Sequence, residues 1–205
     1  MVKTQAASDG EGSKGGTKER IFKVAAELFA TRGFHATGMA DLEKATGLGR
    51  GALYYHISSK EELLFEITSR YLHVLLSAGE GLLATPMSAE ARFRAYSGVV
   101  MAAVVDHLSE LTVCFREIHS VVGERQLELL ELHRRYERIW TDILKIGVAE
   151  GVFHTADSLA VKAVLGMHHY SYLWIRPGGR RTPEEIANFF CELTLPGLRA
   201  DRPLA

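Results

Sequence analysis

Residues 37–60 read TGMADLEKATGLGRGALYYHISSK, and this stretch decides the fold. Met39, Leu42 and Ala45 recur at i, i+3 and i+6, one face of a short helix. Gly47 follows, and glycine takes the left-handed conformation that ends a helix without a Cβ clash. Leu48 offers an apolar plug for the turn. A second short helix then turns Ala52 and Leu53 inward and leaves Arg50, Tyr54, Tyr55 and His56 for other work. The spacing predicts a helix-turn-helix, the motif whose second helix enters the DNA major groove. Ala45 is expected where the two helices approach. Gly49 and Gly51 leave the start of the second helix bare enough to meet a phosphate. The plainer alternative is an αα-hairpin with surface aromatics, and the run of matched positions argues against it.

Upstream, Thr17 reads as an N-cap. Ile21, Val24, Ala25, Leu28 and Phe29 then form an amphipathic stripe that Gly33 ends, and Phe34 is expected to plug the core of a three-helix unit. Residues 1–16 are polar, small and Gly-rich, and are expected to be a disordered arm. Downstream, Ser58 and Ser59 each precede a Glu by three residues, a capping box for a long helix reaching about Ala84.

The stretch resembles the DNA-binding domain of TetR-family transcriptional regulators. Thr37, Leu42, Ala45, Gly47, Leu48, Leu53, Tyr54, His56, Lys60 and Leu63 stand where that family's motif wants them. Glu43 and Thr46 stand where Ala is common and Ile57 where Phe is usual, and Ile57 still supplies an apolar core residue. The likeness covers roughly residues 17–64. It implies an all-α fold: an N-terminal three-helix DNA-binding domain over 17–64, and a ligand-binding and dimerisation domain over 65–205. It also implies a homodimer on a palindromic double-stranded DNA operator, most simply a repressor released by a small-molecule effector. Arg50, Gly51 and Tyr55 are the candidates for reading base edges. Thr37, Tyr54, His56 and Lys60 are the candidates for fixing register on phosphates.

The rest of the chain shows helical periodicity throughout, about nine helices in all, and no strand signal. Thr85-Pro86-Met87 breaks the long helix, and Ser88 starts one expected to reach about Glu110. Others are expected over about Leu111–Val122 and, after Gly123, Glu124–Ala149. Family resemblance places an effector pocket among these helices. Tyr96, Met101, Phe115, His119, Tyr136 and Trp140 are its candidate lining, suited to a hydrophobic or acyl-type molecule. A core role for this aromatic stripe is the competing reading. Asp157 or Thr155 starts the next helix, and Thr182-Pro183-Glu184-Glu185 starts the last, which Pro196-Gly197 is expected to end. Two apolar helices in succession suggest a four-helix dimer bundle, with Val161, Val164, Leu165, His168, Tyr172, Ile186, Phe189, Phe190 and Leu193 as candidate interface.

Composition bounds the remaining classes. The chain has 205 residues, 47% hydrophobic and 24% charged, with a net charge of −1, so the whole chain carries no nucleic-acid signal. Residues 1–60 hold nine Lys/Arg against six Asp/Glu, and the remainder holds 15 against 19, a basic first part and an acidic second. Two cysteines, Cys114 and Cys191, lie in apolar helical patterns and fit buried thiols in a reducing cytoplasm. No apolar run approaches the ~18–20 residues that a membrane span needs. An enzyme reading would rest on His168-His169, yet adjacent helical residues point about 100° apart. No nucleophile elbow, phosphate loop or zinc motif occurs, so no cofactor or metal is expected. A helical protein-interaction adaptor is the other rival, and it leaves Tyr54, His56 and Lys60 without a purpose.

Overall fold

The computed structural model describes residues 9–200, with side chains from residue 16 onward. Among them are nine α-helices: α1 Asp9–Arg32, α2 Met39–Thr46, α3 Arg50–His56, α4 Lys60–Ala84, α5 Ala89–Asp106, α6 Leu108–Glu117, α7 Gly123–Ala149, α8 Ser158–Tyr170 and α9 Pro183–Leu198. Short 3-10 turns follow α6, at Ile118–Ser120, and α8, at Ser171–Leu173. An isolated bridge between Phe153 and Arg199 ties the end of α9 to the α7–α8 connection.

The first three helices make a head with its own small core. Ile21, Ala25 and Phe29 of α1 meet Leu42 of α2, Leu53 of α3 and Phe34 from the α1–α2 corner, all buried. Gly47 takes φ +67° at the tight turn between α2 and α3, as its place in the sequence required. The helix crossing differs in detail from expectation. Ala45 and Ala52 are exposed, and Thr46 is the buried residue there. Its hydroxyl donates to the Leu42 carbonyl at 2.6 Å, so the small polar side chain needs no outside partner.

α4 leaves the head and enters the body. Ser59, rather than Ser58, caps it by accepting the Glu62 amide at 3.0 Å. Leu64, Ile67, Tyr71, Leu72 and Leu75 of α4 continue the buried stripe into the C-terminal core. That core gathers α5, α6, α7, α8 and α9, with Trp140, Tyr96, Tyr136 and Phe93 among its largest buried side chains. The domain boundary expected after residue 64 thus falls inside one continuous helix.

Several boundaries moved. The helix expected from Ser88 to Glu110 breaks at His107, where α5 and α6 turn through 87°. The apolar pattern ran through this corner because both helices bury the same kind of face. α9 continues past Pro196 to Leu198, since a proline in the last turn removes only one hydrogen bond. α1 begins at Asp9, so Thr17 is an interior residue and not its cap, and residues 9–16 of the expected disordered arm extend the helix. A helix already nucleated by packing propagates at one hydrogen bond per added residue. The first eight residues of that arm lie outside the described residues.

Candidate functional site

α3 is two turns long and shows most of its surface. Arg50, Gly51, Ala52, Tyr54 and Tyr55 are exposed, Tyr55 at 65%, while Leu53 anchors the helix from beneath. Arg50 lies over the Tyr54 ring at 5.7 Å, and Tyr55 meets His56 edge-to-face at 5.2 Å. The helix therefore presents a guanidinium, two phenols and an imidazole on one short exposed surface. Nothing approaches where a Cβ on Gly49 or Gly51 would stand, so the entry to α3 is open. A guanidinium fork and phenolic hydroxyls suit base edges and phosphate oxygens alike.

Two expected phosphate contacts are placed otherwise. Thr37 is fully buried, and its hydroxyl donates to the Gly33 carbonyl at 2.9 Å. It closes the α1–α2 corner from within, and Gly38 starts α2 with its amide donating to Asp41 Oδ2 at 2.9 Å. The Lys60 ammonium is half-buried. It donates to the Phe34 and Thr37 carbonyls, each at 3.1 Å, and sits 4.2 Å over the Phe34 ring. Two of its three N–H donors are used inside the protein, because the corner carbonyls have no helical partners.

The body's aromatic residues pack on one another. Tyr96 lies 4.9 Å from Trp140 and 6.2 Å from Tyr136, and Trp140 Nε1 donates to the Tyr136 hydroxyl at 3.2 Å. Met101 is buried in the same core. Phe115 is partly exposed and stacks on Tyr172 at 4.9 Å. His119 departs from the expected pocket: it is exposed in the 3-10 turn after α6. A groove of about 570 Å³ runs elsewhere, between α5 and the start of α9, lined in part by Arg94, Gly98, Val99 and Ala187.

The polar groups in this core make contacts that the sequence did not show, and His133 and Ser97 carried no signal in it. His133 donates through Nδ1 to its own Leu129 carbonyl at 2.8 Å and presents Nε2 to the Tyr71 hydroxyl at 3.4 Å and Cys114 Sγ at 3.9 Å. His169 Nε2 lies 3.1 Å from the Tyr136 hydroxyl, with the two rings stacked. His168 repeats the pattern, Nδ1 to the Val164 carbonyl at 2.8 Å and Nε2 to Ser97 Oγ at 2.7 Å. Burial pushes the His168 imidazole down to about 4 and that of His169 to about 3, lowers His133, and holds the Cys114 thiol up at about 11. Burial likewise raises the Tyr71 and Tyr136 phenols, so the whole cluster is neutral at pH 7. A buried polar residue leaves no mark on hydrophobic periodicity, which is why His133 and Ser97 gave no signal and the partners of the others were not legible. The Ser97–His168 contact is fully buried, and the Ser97 hydroxyl also lies 3.4 Å from the Ala187 carbonyl.

The expected dimer face splits in two. Val161, Val164, His168, Ile186 and Phe190 are buried within the chain, and Leu165 and Tyr172 are half-buried. They close this chain's own core. Phe189 and Leu193 are exposed at 61% and 60%, and Leu159, Tyr170, Leu173 and Trp174 are exposed as well. Leu159, Ala163, Gly166 and Tyr170 recur at i, i+4, i+7 and i+11, a second stripe that was present in the sequence and overlooked.

Comparison with known proteins meets this geometry at both ends. The family model of bacterial regulatory proteins of the tetR family matches residues 21–67, and that of the tetracyclin repressor-like C-terminal domain matches residues 86–198. This chain belongs to the TetR family. It is a DNA-binding transcriptional regulator with nine α-helices among its described residues, the helix-turn-helix being α2 and α3. Among its relatives is the HTH-type transcriptional repressor KstR2 of Rhodococcus jostii, 29% identical over 95% of this chain and 97% of that protein. The TetR-family regulator PfmR of Thermus thermophilus is 35% identical, with a TM-score of 0.81 over 88% of this chain and 99% of that one. AibR, solved with isovaleryl coenzyme A and operator DNA, shares the fold at 24% identity, with a TM-score of 0.76 over 88% and 98% of the two chains. No single described helix of this TetR-family chain is long and apolar enough to cross a membrane.

Proposed function

We propose that this regulator is a cytoplasmic homodimeric repressor that sets one α3 into each half-site of a palindromic operator and leaves the DNA when an effector binds its body. The observation that carries the reading is the exposure of two unlike surfaces. α3 shows a guanidinium and two phenols, and α8–α9 with the turn after α8 show a set of large exposed apolar side chains. Arg50 is the base-reading side chain, suited to guanine O6 and N7, with Tyr55 beside it and Gly51 allowing close approach. Tyr54 and His56 meet the flanking phosphates. The dimer forms through Leu159, Tyr170, Trp174, Phe189 and Leu193, an apolar set that water exposes at a cost of about 25 cal/mol per Å².

The effector site lies around Phe115, Tyr172, His169 and Tyr136, where aromatic faces adjoin neutral hydroxyls and imidazoles. A neutral site of this kind favours a hydrophobic or acyl-type molecule whose carbonyl accepts a hydrogen bond, because a bare charge there would be desolvated. AibR's complex with an acyl coenzyme A supports the acyl class. Release follows from population shift: the effector must bind the DNA-incompetent arrangement better than the competent one.

In vitro selection of fragmented genomic DNA from the source organism on the purified protein tests this. Recovery of a short palindrome upstream of a gene cluster is the expected result, and the enzymes encoded there narrow the effector class. Recovery of nothing, even after unfolding and refolding to strip bound ligand, would sink the reading.

A further inference from the structure

The C-terminal end of α1 is closed by residues of the body. A helix that ends at a left-handed glycine ordinarily satisfies its last carbonyls with its own returning N–H groups. α1 does this once: Gly33, at φ +90°, donates its amide to the Phe29 carbonyl at 2.9 Å. The next amide does not fold back. Phe34 N–H donates to Glu117 Oε1, on the last residue of α6, at 3.1 Å. The Ala30 carbonyl, another unpaired group of that helix end, accepts from an Arg116 guanidinium nitrogen at 2.9 Å. Ser120 then donates to the second oxygen of Glu117 at 3.0 Å, and its hydroxyl lies 3.0 Å from His35 Nε2.

The corner so held leads directly into α2 and α3. Its far side is tied by Lys60 of α4, so residues 33–37 are gripped from both the head and the body. The same turn of α6 faces the opposite way through Cys114, beside Tyr71, and Phe115, beside Tyr172. Four consecutive residues thus join the buried polar cluster to the entry of the helix-turn-helix.

We propose that Arg116 and Glu117 are positioning residues for operator binding, a cap supplied to α1 by α6 that fixes the angle of the head on the body. The inference rests on the reading that α3 binds DNA as part of a dimer. Neither residue touches DNA in this account. The sign of the effect separates position from charge. Glu117→Ala removes a negative charge, which by electrostatics alone tightens binding to a polyanion. Loss of position weakens it.

The test uses the full-length dimer, the selected palindrome as probe, and nitroxides at Lys44→Cys on each head for pulsed electron paramagnetic resonance. Glu117→Ala is expected to bind the palindrome about tenfold more weakly and to broaden the inter-head distance distribution. Glu117→Gln keeps an oxygen acceptor for the Phe34 amide, so it should stay within about threefold of the parent with a narrow distribution. Ser120→Ala, neutral in charge and mild in effect, should weaken binding by about threefold, and it serves should Glu117→Ala fail to fold. Parent-like binding and distances in Glu117→Ala or Ser120→Ala would overturn the inference, as would Glu117→Gln behaving like the alanine variant. The distance measurement needs no DNA. Failure of the parent to select a palindrome would therefore count against the operator reading while the distances still decide this one.

Discussion

The recognition helix α3 and the α8–α9 pair both expose aromatic side chains, and the two exposures differ in kind. On α3, Tyr54 and Tyr55 carry hydroxyls and stand beside Arg50, so every exposed ring ends in a hydrogen-bonding group. On α8–α9, Phe189, Leu193 and Leu159 carry none. Polar-tipped rings beside a guanidinium are stable in water and ready for a charged partner. A face dominated by exposed hydrocarbon, with Tyr170 and Trp174 at its margin, asks for another protein surface. The lesson is that exposure alone does not name a partner, and the atoms at the tips do.

Separating the two surfaces by mutation gives the largest effect. Phe189→Asp with Leu193→Asp is expected to yield a folded monomer by sedimentation, with operator affinity lower by on the order of a hundredfold although α3 is untouched, because two linked half-sites reinforce each other. Unchanged sedimentation would show that the apolar face has another role. Arg50→Ala should leave the dimer intact, cost about 1–3 kcal/mol of operator binding and relax base preference at one position of each half-site. An unaltered sequence profile on repeated selection would remove Arg50 from base reading.

Acid should act on the body. His168 and His169 are held at about 4 and about 3 when folded, below the ordinary imidazole value of about 6.5. The unfolded chain therefore binds their protons first, and stability present above pH 6.5 is lost as pH falls toward 4 and 3. The loss is about 1 kcal/mol for each histidine between pH 6.5 and 5.5. Chemical denaturation across that range measures it, and His168→Gln should flatten the dependence. The smallest effect on DNA is expected from Lys60→Ala. Its ammonium serves the Phe34 and Thr37 carbonyls, so the variant should lose roughly 1 kcal/mol of stability while the salt slope of DNA binding barely moves. A slope shallower by about one unit would return Lys60 to the phosphate backbone.

Much of the head was legible because its signals are local. Leu42, Gly47 and Leu53 specify two short helices and a turn within a dozen residues, and each took its expected place. Thr37 and Lys60 were expected at phosphates, and in the structure their polar groups meet carbonyls of the corner, partners that a sequence does not display. The body was legible as helices and much less so as faces. Val161 and Leu159 stand two residues apart on one apolar helix, and only packing decides that the first is buried and the second exposed. His133, His169 and Tyr71 come from distant segments, so their cluster exists only once α4, α7 and α8 have packed.

The sequence by itself determined the helix-turn-helix, the all-helical class and most of the caps, such as Ser88, Asp157 and the Thr182–Glu185 box. Those depend on neighbours three or four positions away, where backbone geometry fixes who meets whom. Tertiary structure decided which apolar stripe became core, which became open face, and which carboxylate closes α1. These depend on contacts spanning tens of residues, Phe34 to Glu117 among them, and no periodicity encodes a partner at that distance.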